Sequence, residues 1–210
     1  MYRLIKRIID IFLSLCALII LSPVFLILVI LIKITSKGPI LFKQRRVGLH
    51  KTHFNIYKFR TMRIDTPKDC PTHLLENPKQ YITGVGRIMR RTSLDELPQL
   101  FNILAGQMSI VGPRPALWNQ FDLITERNKY GANEVKPGLT GWAQINGRDE
   151  LPIAVKANLD GEYVNRMSFL FDIRCIFGTV ISVLKSDGIV EGREIRPNEK
   201  LESEKELTIK

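Results

Sequence analysis

Two adjacent carboxylates, Asp95 and Glu96, lie inside TSLDELPQLFN (residues 92–102), with leucines on both sides and Arg87, Arg90 and Arg91 just upstream. An ionised carboxylate beside arginines is a good metal ligand and a nucleophile toward phosphorus. The letters SLDE also spell a Ser-x-x-Glu capping box, which would put Ser93 at a helix N-cap and Glu96 at N3. Pro98 conflicts with that frame, because it would fall where a backbone donor is already needed. With Asp95 as the cap, Pro98 moves into the tolerant first turn. Both acids then sit at the positive end of a helix, which favours their ionised forms. On the residues alone, capping and chemistry stand level.

Basic residues elsewhere suit the chemical reading. VGPRP (111–115) brackets Arg114 between two prolines after a glycine, a rigid turn that aims one guanidinium fork at phosphate-like oxygens. An exposed arginine in a surface turn is the plainer alternative. KFRTM (58–62) puts Lys58 and Arg60 on one face of a strand, for phosphate binding or for solvation. KPGLTGWAQINGR (136–148) is a Gly-rich polar loop with material for binding. His50-x-x-His53 and Cys70-x-x-His73 have zinc-like spacings but no matching second pair, which argues against a metal there.

The elements that must carry these residues divide sharply by charge. The 210-residue chain has a net charge of +10, and residues 1–63 hold twelve Lys/Arg against the single acid Asp10. Such a basic end attracts polyanions. The charge surrounds an apolar segment and no recognition motif appears, so nucleic acid is not the expected partner. Three scattered cysteines make no disulfide framework.

Residues 11–32 run 22 positions without a charge. As a helix that is about 33 Å, enough to meet a bilayer core of about 30 Å. Ser22–Pro23 sits just past its centre, where the proline removes a donor and kinks the helix. Basic flanks on both sides prefer the cytoplasmic face. A helix that enters, turns at Ser22–Pro23 and leaves by the same face satisfies both flanks, with the Ser22 hydroxyl available to a freed backbone group.

The expected fold is α+β and mostly helical. A re-entrant membrane helix-break-helix (1–37) packs on a small cytoplasmic catalytic domain (38–190) with few short strands, followed by a charged tail (191–210). Helices are expected at about 96–105, 117–130, 153–166 and 169–186, an extended segment at 53–62 and a surface loop at 64–80. The last helix is expected to pack as core, with the membrane surface as its rival position.

Together, the Ser22–Pro23 membrane stretch, KFRTM, SLDELPQLFN, MSIVGPRP and KPGLTGWAQINGR resemble the bacterial sugar transferases, specifically the small monotopic polyprenyl-phosphate phosphoglycosyl transferases. The likeness covers about residues 1–190. It implies transfer of a sugar 1-phosphate from a UDP-sugar to polyprenyl phosphate, with release of UMP, at the cytoplasmic face of a bacterial inner membrane. It also implies both termini in the cytoplasm. Carried over, Asp95 is the nucleophile, Glu96 its partner, and Mg2+ a cofactor with Asp95 as ligand. Arg114, with Lys58 or Arg60, would neutralise the diphosphate. Arg90 would hold the lipid phosphate, and Gln144, Asn146 and Arg148 would hydrogen-bond the nucleotide or sugar. PRPALWNQ favours a UDP-linked N-acetyl-hexosamine, with galactose and glucose open. A homodimer is also open. Two rivals are a membrane-bound nucleotide-sugar diphosphatase and a non-enzymatic scaffold for anionic lipid.

Overall fold

The computed structural model describes residues 2–66, 78–147 and 151–185, so Arg148, the Cys70/His73 pair and the 191–210 tail lie outside the described residues. Two helices open the chain, α1 (Tyr2–Ile20) and α2 (Ser22–Thr35), bent by 62° at the break between them. Pro23 deprives the Ile19 carbonyl of its intrahelical donor. The Ser22 hydroxyl donates to that carbonyl at 2.8 Å, which satisfies the freed group at the bend. Among the described residues no single helix is long and apolar enough to cross a membrane, whereas the bent pair passes that test of length and composition together.

The rest of the chain alternates short strands with short helices. β1 (Leu41–Val47) and β2 (His53–Phe59) form an antiparallel hairpin with Leu41 opposite Phe59 and Val47 opposite His53. After α3 (Gly84–Arg91) comes a 3-10 turn, Leu94–Glu96, and then α4 (Gln99–Leu104). β3 (Ser109–Val111) pairs in parallel with β4 (Gly138–Thr140), with α5 (Phe121–Asn128) between them in sequence. α6 (Trp142–Ile145), α7 (Ile153–Arg166) and α8 (Phe169–Lys185) complete the described chain.

The fold is α+β and mostly helical, and α7 and α8 lie close to the expected 153–166 and 169–186. Two expected helices are shorter. The 117–130 helix begins only at Phe121, and the 96–105 helix contracts to α4 because residues 94–96 wind as a separate 3-10 turn.

The helix pair is part of the core. Leu28 and Ile32 of α2 are buried against Phe59 and Met89, and Ala17 and Leu18 of α1 pack on Phe54, Leu100 and Ile103. Phe25 meets Phe59 and Phe101 edge-on, at centroid distances of 5.3 and 6.2 Å. Polar contacts fix α1 as well. Asp10 is buried, accepting from Ser109 Oγ at 2.7 Å and from the Ile110 backbone N–H at 3.0 Å. Arg7 donates to the carbonyls of Ile103 and Leu104 at the end of α4, at 2.6 and 2.9 Å. Lys6 pairs with Asp172 of α8 at 2.5 Å. Lys6 and Arg7, basic residues of the expected membrane flank, are therefore engaged inside the protein.

The outer faces are different. Leu4, Ile8, Phe12, Leu15 and Ile19 of α1 are each at least half exposed, and their spacing places them on one helix face. α8 is split. Phe171, Asp172 and Cys175 are buried, while Leu170, Phe177, Ile181 and Leu184 are exposed. Core packing, expected for this helix, holds for one side of it.

Candidate active site

Asp95 and Glu96 lie on the 3-10 turn between α3 and α4. Neither capping frame survives. Ser93 makes no side-chain cap and takes a left-handed φ of 56°, which costs a non-glycine residue about 1 kcal/mol or more. Asp95 is the middle of the turn and caps no helix, so the expected helix-end field is not what acts on it. The flanking leucines anchor the turn, because Leu94 and Leu97 pack into the cluster of Leu28, Ile32, Phe59 and Met89. The segment that bears the acids is thus seated on a cluster shared by α2, β2 and α3.

The two acids occupy opposite environments. Glu96 accepts from Lys58 Nζ at 2.7 Å and from Arg114 at 2.8 Å, with a longer contact at 3.4 Å. Burial would raise its carboxyl, but Arg114 and Lys58 outweigh that and hold it well below the usual carboxylate range. Asp95 is buried and makes no side-chain hydrogen bond or ion pair with the described residues. Burial pushes its carboxyl above the ordinary value. Lys58, Arg90 and Arg114 pull it back, and the charge on Glu96 adds repulsion. With both acids ionised, Lys58, Arg90 and Arg114 leave this group at +1.

Each cation arrives on its own element. Lys58 comes from β2, opposite Phe42 of β1. Arg114 follows β3 in the Gly-Pro-Arg-Pro turn, which Arg46 of β1 braces by donating to the Pro115 carbonyl at 3.1 Å. Gly112 opens that turn where a Cβ would lie 2.5 Å from the Lys136 carbonyl oxygen. Arg90 comes from α3, whose N-cap Thr83 accepts from the Gly86 N–H at 2.9 Å. Its guanidinium donates to Thr61 Oγ1 at 2.9 Å and to Met62 Sδ at 3.0 Å. α3 runs this close to residue 61 because Gly86 lacks a side chain: a Cβ there would lie 2.1 Å from the Thr61 carbonyl oxygen.

Three expected site residues go elsewhere. Arg60 is buried and donates to the Ser36 and Lys37 carbonyls and to Ser36 Oγ at 2.7–2.9 Å, closing the end of α2 instead of facing a phosphate. β2 ends at Phe59, so strand parity with Lys58 does not carry through to Arg60. Gln144 is buried and donates to the Leu139 carbonyl at 3.2 Å, and Asn146 donates to the Trp142 carbonyl at 2.7 Å. Both are engaged within their own loop. His50 pairs with Glu134 at 2.6 Å, and among the described residues no three or more His, Cys, Asp or Glu gather as a metal cluster.

One positioning residue is absent from the sequence reading. Asn102 of α4 is fully buried, accepts from the Tyr57 N–H at 3.0 Å and donates to the Asn55 carbonyl at 2.8 Å. It locks α4 to β2 and so fixes the acids relative to Lys58. A lone Asn among the apolar residues of a short helix is the available signal.

Residues 1–186 match the family model for bacterial sugar transferases. The chain belongs to the bacterial sugar transferase family. It is 43% identical over 192 residues to the uncharacterized sugar transferase EpsL of Bacillus subtilis (strain 168), covering 91% of this chain and 93% of that one. It is 41% identical over 186 residues to the UDP-glucose:undecaprenyl-phosphate glucose-1-phosphate transferase of Escherichia coli (strain K12), covering 85% of this chain and 40% of that one. The exopolysaccharide production protein ExoY of Sinorhizobium fredii (strain NBRC 101917 / NGR234) is 36% identical over 197 residues, with 87% of each chain covered. Within the family, this chain therefore matches EpsL and ExoY over nearly their full lengths and a minor part of the larger Escherichia coli relative.

Proposed function

We propose that this chain transfers a sugar 1-phosphate from a UDP-sugar to polyprenyl phosphate, releasing UMP and forming polyprenyl-diphosphate-sugar. The carrying observation is the contrast between the acids: Asp95 is buried and unpaired among the described residues, while Glu96 is clamped by Lys58 and Arg114. An unpaired carboxylate within a net positive group is a nucleophile waiting for an anionic electrophile. An Asp95 oxygen forms a bond to the phosphorus that bears the sugar, the P–O bond to UMP breaks, and UMP leaves with the electron pair. An oxygen of polyprenyl phosphate then attacks the same phosphorus and restores the Asp95 carboxylate.

Arg114 and Lys58 face the charge that develops on the leaving phosphate. Glu96 holds both cations in place and is the group available to position the acceptor. Arg90, held by Thr61 and Met62, is the candidate for contact with the acceptor's phosphate. Mg2+ fits this site, because one or two carboxylates with substrate phosphate oxygens are its usual donor set, and Asp95 offers a carboxylate that no described residue has taken. It would supply neutralisation of the diphosphate.

The exposed apolar faces of α1 and α8, and the bend at Ser22–Pro23, support a membrane-seated chain that enters and leaves by the cytoplasmic face. The relatives' names point to glucose, which moves UDP-glucose ahead of the N-acetyl-hexosamines as first donor to test.

The test is UMP release by the detergent-purified protein with Mg2+, polyprenyl phosphate and a panel of UDP-sugars led by UDP-glucose. UMP release that persists without polyprenyl phosphate would favour the diphosphatase instead. Asp95→Asn is expected to abolish turnover and to prevent a phosphosugar adduct visible by intact mass. Retained turnover in a clean Asp95→Asn preparation would refute the assignment.

A further inference from the structure

A cationic cavity lies away from the acids. It measures about 140 Å3 and is lined by Arg3, Lys6 and Arg7 of α1, His50 of the β1–β2 connection, and Lys136 just before β4, among others. None of Lys58, Arg90, Asp95, Glu96 or Arg114 lines it. Its acids are already engaged: Asp10 accepts from Ser109 and Ile110, and Glu134 pairs with His50. Its cations are less well matched. Lys6 pairs with Asp172, but Arg7 contacts only backbone carbonyls, and neither Arg3 nor Lys136 has a hydrogen bond or ion pair with the described residues.

Arg7 and Lys136 also approach the same glycine. A Cβ built on Gly106 would lie 3.4 Å from Arg7 Nη2 and 3.7 Å from Lys136 Nζ, so one small space is bounded by both charges. Burial, and then the charge of Arg7, lower the affinity of Lys136 for its proton, against a smaller opposing pull from Asp10. Two like charges that line one cavity gain most from an anion that bridges them. Arg3, which lines the cavity, precedes Leu4, the first residue of the exposed apolar stripe of α1.

We propose that Arg3, Arg7 and Lys136 form a phosphate-binding site separate from the catalytic acids, built for a phosphomonoester or phosphodiester group. An anionic phospholipid headgroup and free phosphate share that chemistry, and basic pockets beside membrane helices take such headgroups. The site is joined to the catalytic turn through α4. Arg7 holds the carbonyls at the end of that helix, while Asp95 and Glu96 precede its start.

The test compares wild type with Lys136→Gln and Arg3→Gln, whose side chains have no described partner to lose. In one arm, full-length protein in nanodiscs of phosphatidylglycerol and phosphatidylcholine is ejected into a native mass spectrometer, and retained phosphatidylglycerol is counted. In the other, inorganic phosphate is titrated into detergent-solubilised protein and the melting temperature followed. Phosphate held by Lys58 and Arg114 survives both substitutions, so the difference between wild type and variant reports this cavity. The expected result is binding weakened about tenfold in each variant, the size of losing one charge-assisted hydrogen bond. Loss confined to the lipid arm identifies a headgroup, and loss confined to the phosphate arm identifies free phosphate. Equal binding by wild type and both variants, or no wild-type binding in either arm, overturns the proposal.

Discussion

Ionising Asp95 costs more in the folded protein than in the unfolded chain, because burial outweighs the cations around it. Its folded pKa is raised, so the penalty is present above that folded value and vanishes below the unfolded value of about 3.9. Asp95→Asn is therefore expected to melt higher than wild type at about pH 7.5 without Mg2+ or substrate, while being inactive. The gap should close as pH falls, which differential scanning fluorimetry from about pH 8 down to about pH 4 would read. Glu96 has the opposite sign. Its folded pKa is depressed, so its stabilisation is present above the unfolded value of about 4.3 and is lost only as pH falls through the lower folded one. Glu96→Gln should lower the melting temperature at about pH 7.5 and slow UMP release about tenfold or more, since Lys58 and Arg114 lose the anion that holds them. Asp95, Glu96, Lys58 and Arg114 are legible through the motifs that carry the family resemblance, SLDELP, KFRTM and GPRP, since residue type alone left capping or solvation level with chemistry. Arg60 and Gln144 look the same on paper. What separates them is a carbonyl partner fixed only once the chain has folded, and no residue type or spacing encodes that.

At the scale of elements, the Ser22–Pro23 bend makes a direct prediction. Replacing both residues with alanine restores the missing backbone donor and lets α1 and α2 run straight. A cysteine placed near the N-terminus should then become accessible to a membrane-impermeant reagent added outside intact cells, while the unmodified bend leaves it protected. This break is readable from sequence, since a proline in an apolar run has one mechanical consequence. α7 is readable too, bounded by Pro152 and long enough to show its period. The parallel pairing of β3 with β4 is not. Each strand has three residues, and the partners are separated by α5, so neither shows an alternation to detect. The 3-10 turn at 94–96 is hidden for a related reason: SLDELP obeys helix-start rules, and only the packing of Leu94 and Leu97 into the cluster of Leu28, Ile32, Phe59 and Met89 overrides them.

For the molecule as a whole, Asp10 is the test of how α1 is held. Asp10→Ala strands the Ser109 hydroxyl and the Ile110 N–H in a buried seam, a cost of about 2–4 kcal/mol for two lost acceptor contacts. Asp10→Asn keeps one acceptor and should recover part of the loss, as melting temperatures in one detergent would show. Cys175 gives an independent readout of the same packing. Burial, and then Asp172, push its thiol up to about 12, so native protein should resist maleimide at that residue at about pH 8 until it is unfolded. Leu28 and Ile32 give the feature with the widest consequence, because the residues that would otherwise be taken for a greasy tether fill the space beneath Phe59 and Met89. Trimming the chain back to residue 37 in search of a water-soluble enzyme should instead yield a collapsed product with its reaction centre unsupported, and swapping in a foreign anchor should not repair it.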